Sequence, residues 1–92
     1  MLVIKPTSRF KKELKRAVKR GLDVELLKSI VVQLAEQKPL PQENRDHELK
    51  GKYKGFRECH IQSDRLLIYK DNESVLVLSL ERTGIHSDLF NE

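Results

Sequence analysis

Apolar residues come first in a short run, then at helical spacing, then in longer stretches. Leu2-Val3-Ile4 is β-branched and apolar and predicts a first strand, which Pro6 stops. Thr7 or Ser8 then offers an N-cap, and Phe10, Leu14, Ala17 and Val18 recur on one helical face. Gly21 supplies a left-handed stop. Asp23 caps a second helix, with Leu22 and Leu27 at the spacing of a hydrophobic staple. Its stripe of Leu26, Leu27, Ile30, Val31, Leu34 and Ala35 is the broader of the two, and Pro39 and Pro41 end it. Pro39 to Asn44 reads as an extended loop, and Arg45 to Gly55 as an ordered loop entering a sheet. The stretch from Gly55 to Lys70 then predicts two antiparallel strands joined by the polar turn Ile61-Gln62-Ser63-Asp64. A further turn at Asp71-Asn72-Glu73 leads to Ser74–Leu80, apolar enough for a central strand. Gly84 permits a bend that returns His86 and Phe90 to the sheet.

The order strand, helix, helix, then hairpin-linked strands is an α+β pattern. The expected architecture is an N-terminal strand and a two-helix hairpin packed on a small, mainly antiparallel sheet of about four strands. The 92 residues fit one domain, residues 1–92.

Composition narrows the function classes. Hydrophobic residues make up 38% and charged residues 35%, the balance of a globular chain with a heavily charged surface. No apolar run approaches the roughly 20 residues that span a bilayer. The start lacks the apolar stretch of a secretory signal, which places the expectation in the cytoplasm. The lone Cys59 fits a reducing compartment and reads as a buried strand residue. A net charge of +4 favours a polyanionic partner, and its arrangement sharpens the point. Lys11, Lys12, Lys15, Arg16, Lys19 and Arg20 cover the polar side of the first helix. That helix serves a phosphate backbone, an acidic protein partner, or only the shielding of the core by long basic stems.

The chemistry-bearing residues gather in the second half. His60 ends one predicted strand and Asp64 begins the next, so an imidazole and a carboxylate are expected to face each other at one rim. His47 and His86 reach the same rim from either side. No histidine pair has the i, i+4 spacing of a helical metal site and no second cysteine is present. A zinc site from His47, His60, His86 and Asp64 is the weaker alternative, and the expectation is a site without metal or cofactor. Imidazole titrates near pH ~6.5 and suits proton transfer. RNA cleavage by the substrate's own 2′-hydroxyl needs a base, an acid and cations to offset charge on the phosphorane-like transition state. The three histidines, Asp64, Arg82, Lys50 and Lys52 supply those types, and Phe90 offers a face on which a base can stack.

Several motifs then fall in a familiar order. They are Asp46-His47-Glu48-Leu49-Lys50-Gly51, Tyr53 to His60, Asp64, Leu67-Ile68-Tyr69, and Glu81-Arg82-Thr83-Gly84-Ile85-His86-Ser87-Asp88-Leu89-Phe90. Together they resemble the YafQ-type toxins of the RelE/ParE superfamily. The resemblance implies a RelE-like fold, a bacterial toxin–antitoxin module, and a ribosome-dependent endoribonuclease that cuts mRNA in the decoding site. It implies a cognate DinJ/RelB-like antitoxin that covers the toxin in a hetero-oligomeric complex. His47, His60, Asp64 and His86 match the family's catalytic positions and Phe90 its tail aromatic, whereas Arg82, Lys50 and Lys52 are added from charge. The base falls to His60 or His47 and the acid to His86. Relatives often carry an aromatic where this chain has Arg65 and aspartate where it has Glu58, departures that bear on codon preference. The other function classes are a ParE-like toxin that binds a protein such as gyrase without catalysis, and a plain RNA-binding module.

Overall fold

A computed structural model describes residues 1–90. The chain runs β1 (Val3–Pro6), α1 (Ser8–Lys19), α2 (Val24–Ala35), β2 (His47–Glu48), β3 (Arg57–Gln62), β4 (Arg65–Asn72), β5 (Val77–Ile85) and α3 (His86–Phe90). The α+β expectation holds, with five strands in place of about four. The added strand is β2, two residues inside the expected loop, too short to show a period. It joins the sheet through His47 opposite Glu58 and Glu48 opposite Arg57.

The sheet order is β1-β5-β4-β3-β2. Only β1 and β5 run parallel. Both long helices start where the sequence places them. Thr7 Oγ1 accepts from the Phe10 amide at 3.0 Å, and Asp23 Oδ1 accepts from the Leu26 amide at 3.2 Å. Gly21, at φ 94°, makes the sharp link between them. Phe10, Ala17, Leu27, Ile30, Val31, Leu34 and Ala35 pack with Cys59, Ile61, Leu67, Tyr69, Leu78 and Leu80 on one face of the sheet. Val18 and Leu26, expected on the apolar stripes, are instead exposed at the margins.

Three boundaries differ from expectation. The β3–β4 hairpin closes on the two residues Ser63–Asp64, with Ser63 at φ 42°, and the strands run through to Gln62 and Arg65. The β4–β5 turn lies at Glu73–Leu76, because β4 pairs with β5 as far as Asn72 opposite Val77. Val75 and Leu76 are therefore exposed rather than in a strand. A short 3-10 turn, Gln42–Asn44, occupies part of the expected extended loop.

One irregularity in β5 positions the site. Leu80 faces Tyr69, but Arg82 faces Ile68, so Glu81 is a surplus residue, a β-bulge. Strict alternation would leave Arg82 on the side of Leu78 and Leu80, under the long helices. The bulge moves it to the opposite face, where Leu66 and Ile68 pack against Leu89 of α3 and against Leu49, Tyr53, Phe56 and Phe90. Gly84 lets α3 come close: a Cβ there would stand 3.4 Å from Leu89 Cδ2. Among the described residues no helix is long and apolar enough to cross a membrane.

Cys59 is fully buried, and burial, reinforced by Asp46 and Glu58, pushes its thiol up to about 12 from an ordinary value near 9. The unfolded chain gives up this proton above pH 9 while the folded chain keeps it. Stability is therefore full below pH 9 and falls as pH rises between 9 and about 12. The expected loss is on the order of 1 kcal/mol per pH unit in that window. Urea titrations from pH 8 to 11 check it, and Cys59→Ala should flatten the slope.

Candidate active site

Two groups of side chains flank Leu66 and Ile68 on the sheet face away from α1 and α2. The first stands on β2 and β3. Glu58 is 4% exposed, and its Oε1 lies 3.7 Å from His47 Nε2 and 3.8 Å from His60 Nε2. Alternation puts Glu58 and His60 on the same face, and cross-strand pairing brings His47 beside Glu58. The pairing between His60 and Asp64 expected from the sequence is corrected here. Because the strands extend further, His60 sits opposite Leu66, and the carboxylate between the imidazoles is Glu58. Asp64 is exposed in the turn.

His47 is held from behind. Its Nδ1 lies 2.6 Å from the Arg45 carbonyl oxygen. A carbonyl only accepts, so Nδ1 carries a hydrogen and Nε2 is the nitrogen turned toward Glu58. Arg45 takes the left-handed conformation that this contact uses. Asp46, one residue on, receives the Tyr69 hydroxyl at 2.5 Å and Arg57 Nε at 3.3 Å. Burial and the bond to Asp46 push the Tyr69 phenol up, so it stays a donor across the working pH range. On β3, the His60 carbonyl accepts from Asn44 Nδ2 at 2.7 Å.

The second group surrounds α3. His86 begins that helix, and its ring centroid lies 4.9 Å from that of Phe90. Phe90 meets the edge of Tyr53 at 5.7 Å, and Tyr53 meets Phe56 at 6.0 Å. Lys52 Nζ stands 5.8 Å from the Tyr53 ring centre and Lys70 Nζ 5.5 Å from that of Phe56. Lys50 is exposed at the start of the 3-10 turn Gly51–Tyr53. The result is a ridge of aromatic rings edged by lysines and one imidazole.

Arg82 lies beneath this ridge, 8% exposed. Its Nη1 donates to the Tyr53 hydroxyl at 2.9 Å and to the Leu89 carbonyl at 3.0 Å, and its Nε donates to Glu13 at 3.1 Å. Bonding to Glu13 outweighs burial and holds the guanidinium above its ordinary range. The sequence suggested a cation offered to RNA, whereas these contacts are those of a buried strut. Arg16 of α1 and Arg20, which caps its C-terminal end, reach Asp88 of α3 at 3.5 and 3.1 Å.

Gly84 lies in register with Leu66, which faces His60, so Gly84 and His60 are two strand spacings apart, roughly 10 Å. The structure thus puts His47, His60 and His86 on one face, with Phe90 beside His86, Lys52 beside Tyr53, Lys50 exposed at the turn before it and Asp64 at the hairpin end. Reasoning from sequence missed Glu58 as the carboxylate between imidazoles, although its spacing of two from His60 on a strand was the available signal. It also missed Tyr53. Among the described residues no group of three His, Cys, Asp or Glu side chains has the geometry to hold a metal ion.

Comparison with known proteins adds an independent line. Residues 2–91 match the family profile described as the bacterial toxin of type II toxin–antitoxin system, YafQ. The mRNA interferase toxin YafQ of Escherichia coli strain K12 is 39% identical over 88 residues, covering 95% of this chain and 94% of the relative. A crystal structure of a metal-bound toxin from Helicobacter pylori superposes with a TM-score of 0.91 at 46% identity, covering 98% of this chain and 100% of that one. The toxin in the E. coli DinJ–YafQ complex superposes with a TM-score of 0.86 at 37% identity, covering 98% and 99%.

Proposed function

This chain belongs to the YafQ family of bacterial type II toxin–antitoxin toxins, and from that premise we propose that it is an mRNA interferase cutting mRNA held in the ribosomal decoding site. The observation that carries the reading is the placement of three imidazoles on one sheet face, two of them against the same buried carboxylate oxygen.

The reaction follows from those positions. His60 or His47 takes the proton of the ribose 2′-hydroxyl. The freed oxygen attacks the adjacent phosphorus, and the bond from phosphorus to the 5′-oxygen breaks. His86 gives that oxygen its proton. Glu58 keeps the two imidazoles of the base side in place. Lys50 and Lys52 balance the charge that builds on the phosphoryl oxygens. Phe90 lies against a nucleobase. Asp64, exposed in the turn, is assigned to the substrate, since Glu58 already stands between the imidazoles. Arg82 supports the ridge from beneath and makes no RNA contact.

The E. coli complex supports a DinJ/RelB-like antitoxin as the partner, in a hetero-oligomer. A ribosome-bound substrate places the protein in the cytoplasm. The Helicobacter relative carries a metal in its crystal structure, but none of the proton transfers above calls for one. The test is cleavage of mRNA on purified ribosomes in EDTA. The expected products end in a 2′,3′-cyclic or 3′-phosphate on one side and a 5′-hydroxyl on the other. A strict need for divalent cation at the chemical step would overturn the histidine mechanism. Growth arrest with intact mRNA and lost negative supercoiling would move the protein to the ParE-like, gyrase-binding class.

A further inference from the structure

The geometry points to Glu13 as the positioning residue for the α3 side of the site, an inference that rests on the reaction proposed above. Glu13 is the one acid on α1, among lysines and arginines. It lies three residues after Phe10 and four before Ala17, both buried, so it sits on the inward face of the helix. Its side chain is 20% exposed.

The site of this carboxylate follows from the sheet. β1 pairs with β5 only as far as Leu80, so the outer edge of β5 beyond that point lacks a strand neighbour. Glu13 covers it. Its Oε1 accepts from the Thr83 amide at 3.3 Å and from Arg82 Nε at 3.2 Å, and its Oε2 accepts from Arg82 Nε at 3.1 Å. The second contact to Oε2 comes from Arg82 Nη2. This grip orients the guanidinium so that Nη1 faces the Tyr53 hydroxyl and the Leu89 carbonyl.

Both of those acceptors belong to the site. α3 has only five residues and no stability of its own. The Leu89 carbonyl lies in its last turn, where a cation suits the helix dipole. Arg82 supplies that cation at Leu89. Tyr53, held by the same nitrogen, abuts Phe90, which lies against His86. Glu13 therefore acts on His86 and Phe90 through Arg82, without touching substrate.

Glu13→Ala and Glu13→Gln decide the matter, the second keeping the volume and one acceptor where the first weakens folding. In folded Glu13→Ala the imidazole proton resonances of His86 should lose their ring-current shift from Phe90, while sheet amide signals stay in place. With mRNA on ribosomes, kcat should fall about 10- to 100-fold and KM should change less than about two-fold, the signature of misplacement rather than lost binding. Glu13→Gln should give a smaller change of the same kind. Unchanged His86 resonances and kcat in either folded variant would overturn the proposal. The resonance measurement needs no catalysis, so a wild-type protein that cuts no mRNA would overturn the reaction and still leave Glu13 to be judged.

Discussion

Replacing His86 with alanine is expected to lower mRNA cleavage by about 10²- to 10⁴-fold, the range for loss of a positioned acid or base. The size of the effect follows from the position of the ring. His86 is the imidazole on the α3 side, beyond β5, whereas the pair at Glu58 stands on β2 and β3. In the proposed reaction the acid is His86, and His47 and His60, both against Glu58, serve the base side, so neither replaces it. The side chain is exposed, so its removal leaves the core intact. Expression of the variant should no longer arrest growth, while far-UV circular dichroism and thermal melts match those of the parent. Full cleavage by a folded His86→Ala protein would remove this residue from the reaction.

The second large effect concerns folding. Arg82→Ala should destabilise the protein by about 3 kcal/mol, because it strips the cation from a largely buried ion pair and leaves Glu13 in place without it. The same change frees the Tyr53 hydroxyl and the Leu89 carbonyl. For a chain of this size that corresponds to a fall in Tm of roughly 10 to 20 °C. Arg82→Lys should recover little, since one ammonium cannot meet Glu13, Tyr53 and Leu89 together. A scanning-calorimetry Tm within a few degrees of the parent would show that Arg82 is not the strut described.

The sequence made the helices and the α+β layout easy to read, for identifiable reasons. Thr7 and Asp23 are strong caps, Gly21 stops the first helix, and the stripes from Phe10 and from Leu27 keep a clean helical period. The strand of His47 and Glu48 was invisible, because two residues carry no alternation and only pairing with β3 defines them. The hairpin ends were misplaced because Ile61 and Gln62 lie among turn formers, yet tertiary packing buries Ile61. The three histidines were legible as a set from chain order alone. Their carboxylate partner was not, since a turn at Ile61–Asp64 would have aimed Asp64 at His60. Charge alone offers Arg82 to a phosphate, whereas the fold places it in a buried ion pair. Its burial depends on Glu13, which lies 69 positions away in the chain.

The surplus residue at Glu81 has a consequence for how length changes can be accommodated. Losing the codon for a residue from Val77 to Leu80 would put part of the strand out of alternation with β4. Losing Glu81 alone would instead straighten the strand and leave Arg82 across from Ile68, where it already sits. That codon is the point in the C-terminal strand at which an in-frame deletion spares the layout, and contacts between Arg82 and Ile68 in a Glu81-deleted chain, measured by nuclear Overhauser effects, would reveal it.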